Sequence, residues 1–214
     1  MITMKKKLFY KKGAEAELVE SVVDGKLVLL KNRISKEYRN PKLDLKIRRT
    51  RTKSEAKLLR EAALFVNTPK IISVDEENTQ IVMEFILGKR LKEVIETKKK
   101  LCIEAGKQIK KLHDGGIIHG DLTTSNIIFL EKSKDIELKE RIKKRGTLFF
   151  IDFGLGYFSK DLEARATDLI VFKKTFNATH SKLKNGWNLV MKGYNPSVEL
   201  LEQMDKVEKR TRYH

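Results

Sequence analysis

Three side chains in the second half of the chain carry the clearest chemical signal. Asp121 and Asn126 stand five positions apart within His119-Gly120-Asp121-Leu122-Thr123-Thr124-Ser125-Asn126, and Asp152 opens Asp152-Phe153-Gly154. A carboxylate, a nearby amide oxygen and a second carboxylate ahead of a glycine are what phosphoryl transfer needs. Asp121 then accepts or orients the acceptor's proton. Asn126 ligates magnesium beside the phosphates, and Asp152 holds the bridging magnesium. Asp-Phe-Gly alone is a weak signal, since many strands end in a turn with Asp and Gly. The spacing of all three residues carries the assignment, and it predicts ATP and Mg2+ as cofactors.

The same chemistry asks for a cation on the phosphates, supplied by a strand of the first half. Lys31 closes Leu27-Val28-Leu29-Leu30-Lys31 and suits that role. Glu55 is the candidate partner that holds it, with Glu61 a weaker one. Thr52-Lys53-Ser54-Glu55 also fits a capping box, in which Glu55 would bond the backbone of its own helix. Both readings stand at this point. On the kinase-type reading, backbone groups of Glu84 and Ile86 face an adenine with Met83 behind it, and Gly13 belongs to the loop over the phosphates. His119 and Asp168 read as supports for the loop around Asp121.

The elements that must position these groups follow from pattern. Leu18 to Val23 and Lys26 to Lys31 are strands joined by Asp24-Gly25, a hairpin signal. A basic irregular stretch follows from Asn32 to Arg51, in which Tyr38-Arg39-Asn40-Pro41 breaks any long helix. The spacing of Ala56, Leu59, Ala63 and Val66 predicts a helix over 52–66. Ile71 to Val74 and Gln80 to Phe85 are strands around Glu76-Glu77-Asn78. Beyond Gly88 the pattern turns helical. Lys98 to His113 is a helix stopped by Gly115-Gly116. Ile127 to Phe129 and Leu148 to Ile151 are short strands around a charged insertion, 131–146, read as an exposed loop or loose helix. From Leu162 the pattern is helical to the end. The predicted fold is α+β, protein-kinase-like and bilobal: a β-rich N-terminal lobe over 1–87 and a reduced, mainly helical C-terminal lobe over 88–214.

Composition bounds the setting. The 214 residues carry 46 Lys and Arg against 29 Asp and Glu, a formal charge of +17. Such an excess attracts phosphate-bearing partners, although a lysine-rich solvated surface gives the same count. The one cysteine, Cys102, cannot form an internal disulfide, which points to a reducing compartment. The basic N-terminus lacks a signal-peptide apolar region, and no run is long enough to cross a bilayer. The expectation is a soluble cytoplasmic protein with no membrane partner.

Lys12-Gly13-Ala14-Glu15-Ala16, Tyr38-Arg39-Asn40-Pro41-Lys42-Leu43-Asp44, Arg51-Thr52-Lys53-Ser54-Glu55-Ala56 and the run Ile118 to Asn126 together resemble the small atypical kinases of the KEOPS complex, the Bud/PRPK type. The resemblance covers nearly the whole chain. It implies ATP hydrolysis or Ser/Thr phosphorylation supporting threonylcarbamoyladenosine formation on tRNA. The implied partners are the threonylcarbamoyl transferase subunit, other KEOPS subunits, and tRNA through basic surfaces and the tail Lys206 to His214. A kinase-like scaffold that binds tRNA without catalysis is the alternative. RIO-type kinases and aminoglycoside-type phosphotransferases share His-Gly-Asp but differ at the second metal motif. The chain also departs from ordinary protein kinases. Only Gly13 stands where the phosphate loop has three glycines. Gly120 replaces an arginine that reads a phosphorylated activation loop. Thr123 replaces a phosphate-facing lysine, and no Ala-Pro-Glu follows Gly154. Water therefore becomes as plausible an acceptor as a protein hydroxyl.

Overall fold

The computed structural model describes residues 9–13 and 15–210. Ala14 and the tail residues Thr211 to His214, which the sequence reading included, lie outside the described residues.

The first half builds an antiparallel sheet in the order β1-β2-β3-β5-β4: β1 Phe9–Lys12, β2 Ala16–Val23, β3 Lys26–Arg33, β4 Ile71–Asp75 and β5 Gln80–Glu84. Asp24 and Gly25 join β2 to β3 with φ of 48° and 75°. Two successive positive φ values are the twist a two-residue hairpin requires. In β3, Lys31 and Arg33 stand two apart and so share a face.

A single helix, α1 (Pro41–Ala62), spans most of the gap between β3 and β4. Sequence reading started this helix at Thr52 and treated Asn40-Pro41 as a break. The helix instead begins at Pro41, eleven residues earlier. Asn40 caps the helix, its side chain accepting from the backbone N–H of Lys42 and Leu43. Pro41 takes the first turn, where its missing N–H costs nothing. Thr52 is therefore mid-helix and fully buried, and the capping-box alternative for Glu55 falls away. Asp44 ties the first turns together through Arg48 at 2.7 Å and Arg39 at 3.6 Å.

The second half begins with β6 (Lys89–Arg90), α2 (Leu91–Val94), α3 (Lys100–Asp114) and β7 (Ile117–Ile118). Then come β8 (Ile127–Phe129), α4 (Ile136–Arg145), β9 (Leu148–Phe150) and β10 (Tyr157–Phe158). Three helices close the described chain: α5 (Leu162–Thr179), α6 (Gly186–Tyr194) and α7 (Val198–Arg210). β6, β8 and β9 form a small sheet, and β10 returns antiparallel onto β7. α3 and α6 cross closely at Gly106, where a Cβ would overlap the Val190 carbonyl. One apolar core runs from Leu58 and Leu59 of α1 through α3 to Phe172 and Phe176 of α5.

The charged insertion read as a loop or loose helix is the docked helix α4. Asp135 caps it through the Leu138 N–H. Leu138 and Ile142 pack on Ile86, Leu130 and Phe149. Arg141 reaches Glu84 at 2.7 Å and the Thr68 carbonyl, and lies over the Phe149 ring. The insertion thus braces the segment that joins the two halves. Two apolar positions a turn apart were too thin a stripe to separate from a solvated helix by periodicity alone.

Candidate phosphoryl-transfer site

β3 delivers Lys31 into the space between the halves, and α1 brings Glu55 to meet it. Lys31 Nζ donates to Glu55 Oε1 at 2.6 Å and to Asp152 Oδ1 at 2.7 Å. Arg33 Nη2 donates to the other Glu55 oxygen at 2.5 Å. Glu55 is 1% exposed, so its charge is bearable only because two cations face it. Burial works to lower the Lys31 ammonium, but the carboxylates of Glu55 and Asp152 outweigh it and hold it above its ordinary value. For Asp152, burial works upward, and the ammonium of Lys31, with the Arg33 guanidinium behind it, holds the carboxyl below the usual range.

Asp152 has φ of 64°, a left-handed backbone that L-residues adopt at a cost. Its neighbours fix it there. Phe153 is fully buried and packs on the His119 ring at 4.6 Å. His119 Nε2–H donates to the Ile151 carbonyl at 3.1 Å, while Nδ1 accepts from the Asp121 N–H at 3.4 Å. That pairing needs the neutral ring, and burial lowers the His119 pKa accordingly. Asp168 on α5 accepts from the N–H groups of His119 and Gly120, each at 3.0 Å, and from His113 at 3.1 Å. Burial alone would raise the Asp168 carboxyl; these donors hold it below its ordinary value. Asn126 Nδ2 donates to the Asp121 side chain at 2.8 Å and to its backbone carbonyl at 2.9 Å. The Asn126 oxygen is then the atom left to meet a cation.

Two cavities meet at Lys31. The outer one, about 590 Å³, is lined by Gly13, Lys31, Asp121, Asn126 and Asp152. The inner one, about 320 Å³, is lined by Leu18, Leu29, Met83, Ile128 and Ile151, by Glu84, Phe85 and Ile86 of the joining segment, and by Lys31, Glu55 and Asp152 at the bridge. A largely apolar slot opening into a charged cavity has the character that suits a flat ring with a phosphate tail. Asp152 is half exposed on the cavity side. Among the described residues no cluster of three or more His, Cys, Asp or Glu could hold a metal by itself. The Asn126–Asp152 pair fits magnesium, which takes one or two protein oxygens and completes its shell with phosphate and water.

Sequence reading missed four cations on the outer cavity: Arg33, Arg51, Arg90 and Lys92. Arg33 was readable from the two-residue period of β3, because it shares the face of Lys31. Its Nε is buried with no hydrogen-bond partner, an unusual state for a guanidinium. Arg51 lies four positions before Glu55 on α1 and is held by Glu15 at 2.5 Å. Arg90 holds the loop through the Ser125 carbonyl at 2.7 Å. Nothing in the sequence pointed to Arg90 or Lys92, whose place depends on how β6 meets β8. Glu61, the weaker candidate, does not line either cavity.

Gly120 has φ of 78°, and a Cβ there would overlap the Leu155 carbonyl. The chain after Gly154 folds straight back over this glycine into β10, and α5 begins at Leu162. The space that the first atom of an arginine side chain would use is taken by the Leu155 backbone.

Residues 28–136 match the RIO domain family. The KEOPS complex subunit Bud32 of Pyrococcus abyssi is 42% identical over 95% of this chain and 94% of its own length. A probable bifunctional tRNA threonylcarbamoyladenosine biosynthesis protein of Methanosphaera stadtmanae is 41% identical over 94% of this chain, which spans 36% of that longer protein. The Rio2 kinase from Chaetomium thermophilum, in its ADP/Mg2+-phosphoaspartate complex, shares the fold with a TM-score of 0.64 at 15% identity, over 97% of this chain and 71% of that one.

Proposed function

The chain belongs to the Bud32 family of RIO-domain, kinase-like proteins, and from that premise we infer that it is an Mg-ATP-dependent phosphotransferase and ATPase that supports threonylcarbamoyladenosine modification of tRNA. The observation that carries the reading is the buried Glu55–Lys31–Asp152 bridge at the mouth of an apolar slot. In this reading the hinge between an N-terminal lobe, 1–87, and a C-terminal lobe, 88–214, takes the adenine against Met83, with backbone groups of Glu84 and Ile86 at its edge. Gly13 and Lys31 attend the phosphates. Asp152 and Asn126 hold magnesium, which when bound neutralises the phosphates and the charge that develops on them. Asp121 orients the acceptor and receives its proton, and Asp168 with His119 keeps that carboxylate in place.

The short crossing from Gly154 through β10 to α5 at Leu162 favours water as acceptor, because it leaves no extended segment on which a peptide would dock. The proposed partners are the threonylcarbamoyl transferase subunit, the other KEOPS subunits and tRNA, in the cytoplasm. No helix among the described residues is long and apolar enough to cross a membrane.

The test is phosphate release from Mg-ATP with the transferase subunit present. Asp152→Ala is expected to abolish turnover, and unchanged turnover would sink the assignment. A scaffold reading, motivated by the reduced C-terminal lobe and the basic tail Lys206 to His214, makes the opposite claim. It holds if Asp121→Ala leaves tRNA modification intact while deletion of Lys206 to His214 stops it.

A further inference from the structure

Helix α1 has two chemically distinct sides. Glu55 faces the buried bridge, and Arg48 and Arg51 are engaged by Asp44 and Glu15. Lys42, Lys46, Arg49, Lys53, Lys57 and Arg60 are all exposed. At 3.6 residues per turn these six fall within about 80° of arc, on the side away from Glu55, and span roughly 27 Å of helix. The acids of α1 do not interrupt the stripe: Asp44 and Glu55 are buried, and Glu61 lies at its edge. Among the described residues only Lys53 meets a carboxylate, Glu76 at 3.9 Å, with both side chains well exposed. Lys57 rests on the Phe158 ring at 5.2 Å.

Like charges three and four residues apart repel along a helix. Lys42 with Lys46, Arg49 with Lys53, and Lys53 with Lys57 form such pairs. A face tuned for solubility alternates signs and avoids this cost. One that binds a linear polyanion gains from it, because each cation displaces a condensed counterion. A stripe this long and narrow suits an extended phosphate chain better than a single anion. Its exposed apolar side chains, Leu43 near one end and Phe158 beneath Lys57, are isolated and do not form the continuous apolar face that would hold a helix at a lipid surface.

We propose that the outer face of α1 is a nucleic-acid track on which an RNA phosphate backbone lies along Lys42, Lys46, Arg49, Lys53, Lys57 and Arg60. This rests on the tRNA part of the proposed function and adds the surface and the register. The contacts position RNA without reading its sequence. Because Glu55 leaves the opposite side of the same helix, RNA bound there would leave the nucleotide cavity open.

The experiment titrates salt against binding of a labelled tRNA by the full chain, alone and assembled with the transferase subunit. The triple variant Lys46→Gln, Arg49→Gln, Lys53→Gln is compared with Lys107→Gln, Lys111→Gln, Lys184→Gln, which loses the same charge from exposed sites elsewhere. The stripe variant is expected to lower the slope of log affinity against log salt by about 2 to 3 and to weaken binding tenfold or more at moderate salt. Phosphate release and helix content should match the parent. Equal slopes for parent and stripe variant, or equal losses in the two triples, overturn the track alone. A parent that binds no RNA overturns the track and the tRNA reading together, while Asp152→Ala still decides the phosphoryl-transfer reading. If RNA binding is unchanged but the stripe variant no longer assembles with its protein partner, the face is a protein interface and the track is wrong.

Discussion

Glu55→Gln separates the bridge from ordinary packing, because the amide keeps the shape, removes the charge and turns one of the two acceptor oxygens into a donor facing a cation. Glu55 is 1% exposed and meets Lys31 at 2.6 Å and Arg33 at 2.5 Å. Without its charge, Lys31 keeps only Asp152, and Arg33 loses its one carboxylate within ion-pair distance among the described residues. Removing one partner from a buried ion pair costs about 3–5 kcal/mol, part of a total near 5–15 kcal/mol. At roughly 2–4 °C per kcal/mol for a chain of this size, the melting temperature falls by roughly 6–20 °C. Lys31 is then anchored from one side, and a misplacement of about 1 Å costs on the order of 100-fold in turnover. Circular dichroism melts and Mg-ATP phosphate release measure the two effects. Lys31→Met completes a double-mutant cycle, in which coupling of about 0.5–3 kcal/mol is expected for directly touching groups. A Glu55→Gln melt within about 2 °C of the parent, the scale of a neutral surface change, with turnover unaltered, refutes the bridge as the organiser of the site.

Other outcomes follow from single features. Gly120→Arg restores the residue usual in larger kinases, but a side chain there collides with the Leu155 carbonyl at a φ of 78°; the variant is expected to lose both melting temperature and turnover. Burial depresses the His119 pKa below its ordinary 6.5, so the unfolded chain binds a proton more readily. The stability contributed by neutral His119 is present above about pH 6.5 and is lost as pH falls toward its depressed folded value; melts at pH 7.5 and 5.5 should differ more for the parent than for His119→Asn. Cys102 is fully buried and its thiol is pushed up to about 11, so iodoacetamide should label it only in denaturant. Arg141→Ala removes the brace on Glu84 and is expected to raise the KM for ATP more than it lowers kcat, with Arg141→Lys restoring part of the loss.

The proposed triplet Asp121, Asn126 and Asp152 was legible in the sequence because its parts lie in two short runs, each with fixed internal spacing. Lys31 was legible because it follows the apolar run Leu27 to Leu30, although the strand itself continues to Arg33. The start of α1 was not. Asn40-Pro41 is at once a helix breaker, read from upstream, and a cap with a first-turn proline, read from downstream. Which applies depends on residues 42–51 being helical, and their outward charges hide the apolar period. The four extra cations were missed for a related reason. In so basic a chain a lysine or arginine carries little information until the fold shows which way it points. Arg33 and Arg51 turn inward, whereas Arg49 and Lys53 on the same helix as Arg51 turn outward.

The tight return of the chain over Gly120 also governs how such a protein can be regulated. A segment that crosses from Gly154 to α5 in so few residues has no slack to swing between two resting positions, and its backbone is already stitched to β7. If the chain turns over ATP as proposed, any restraint on it would have to act from outside this segment.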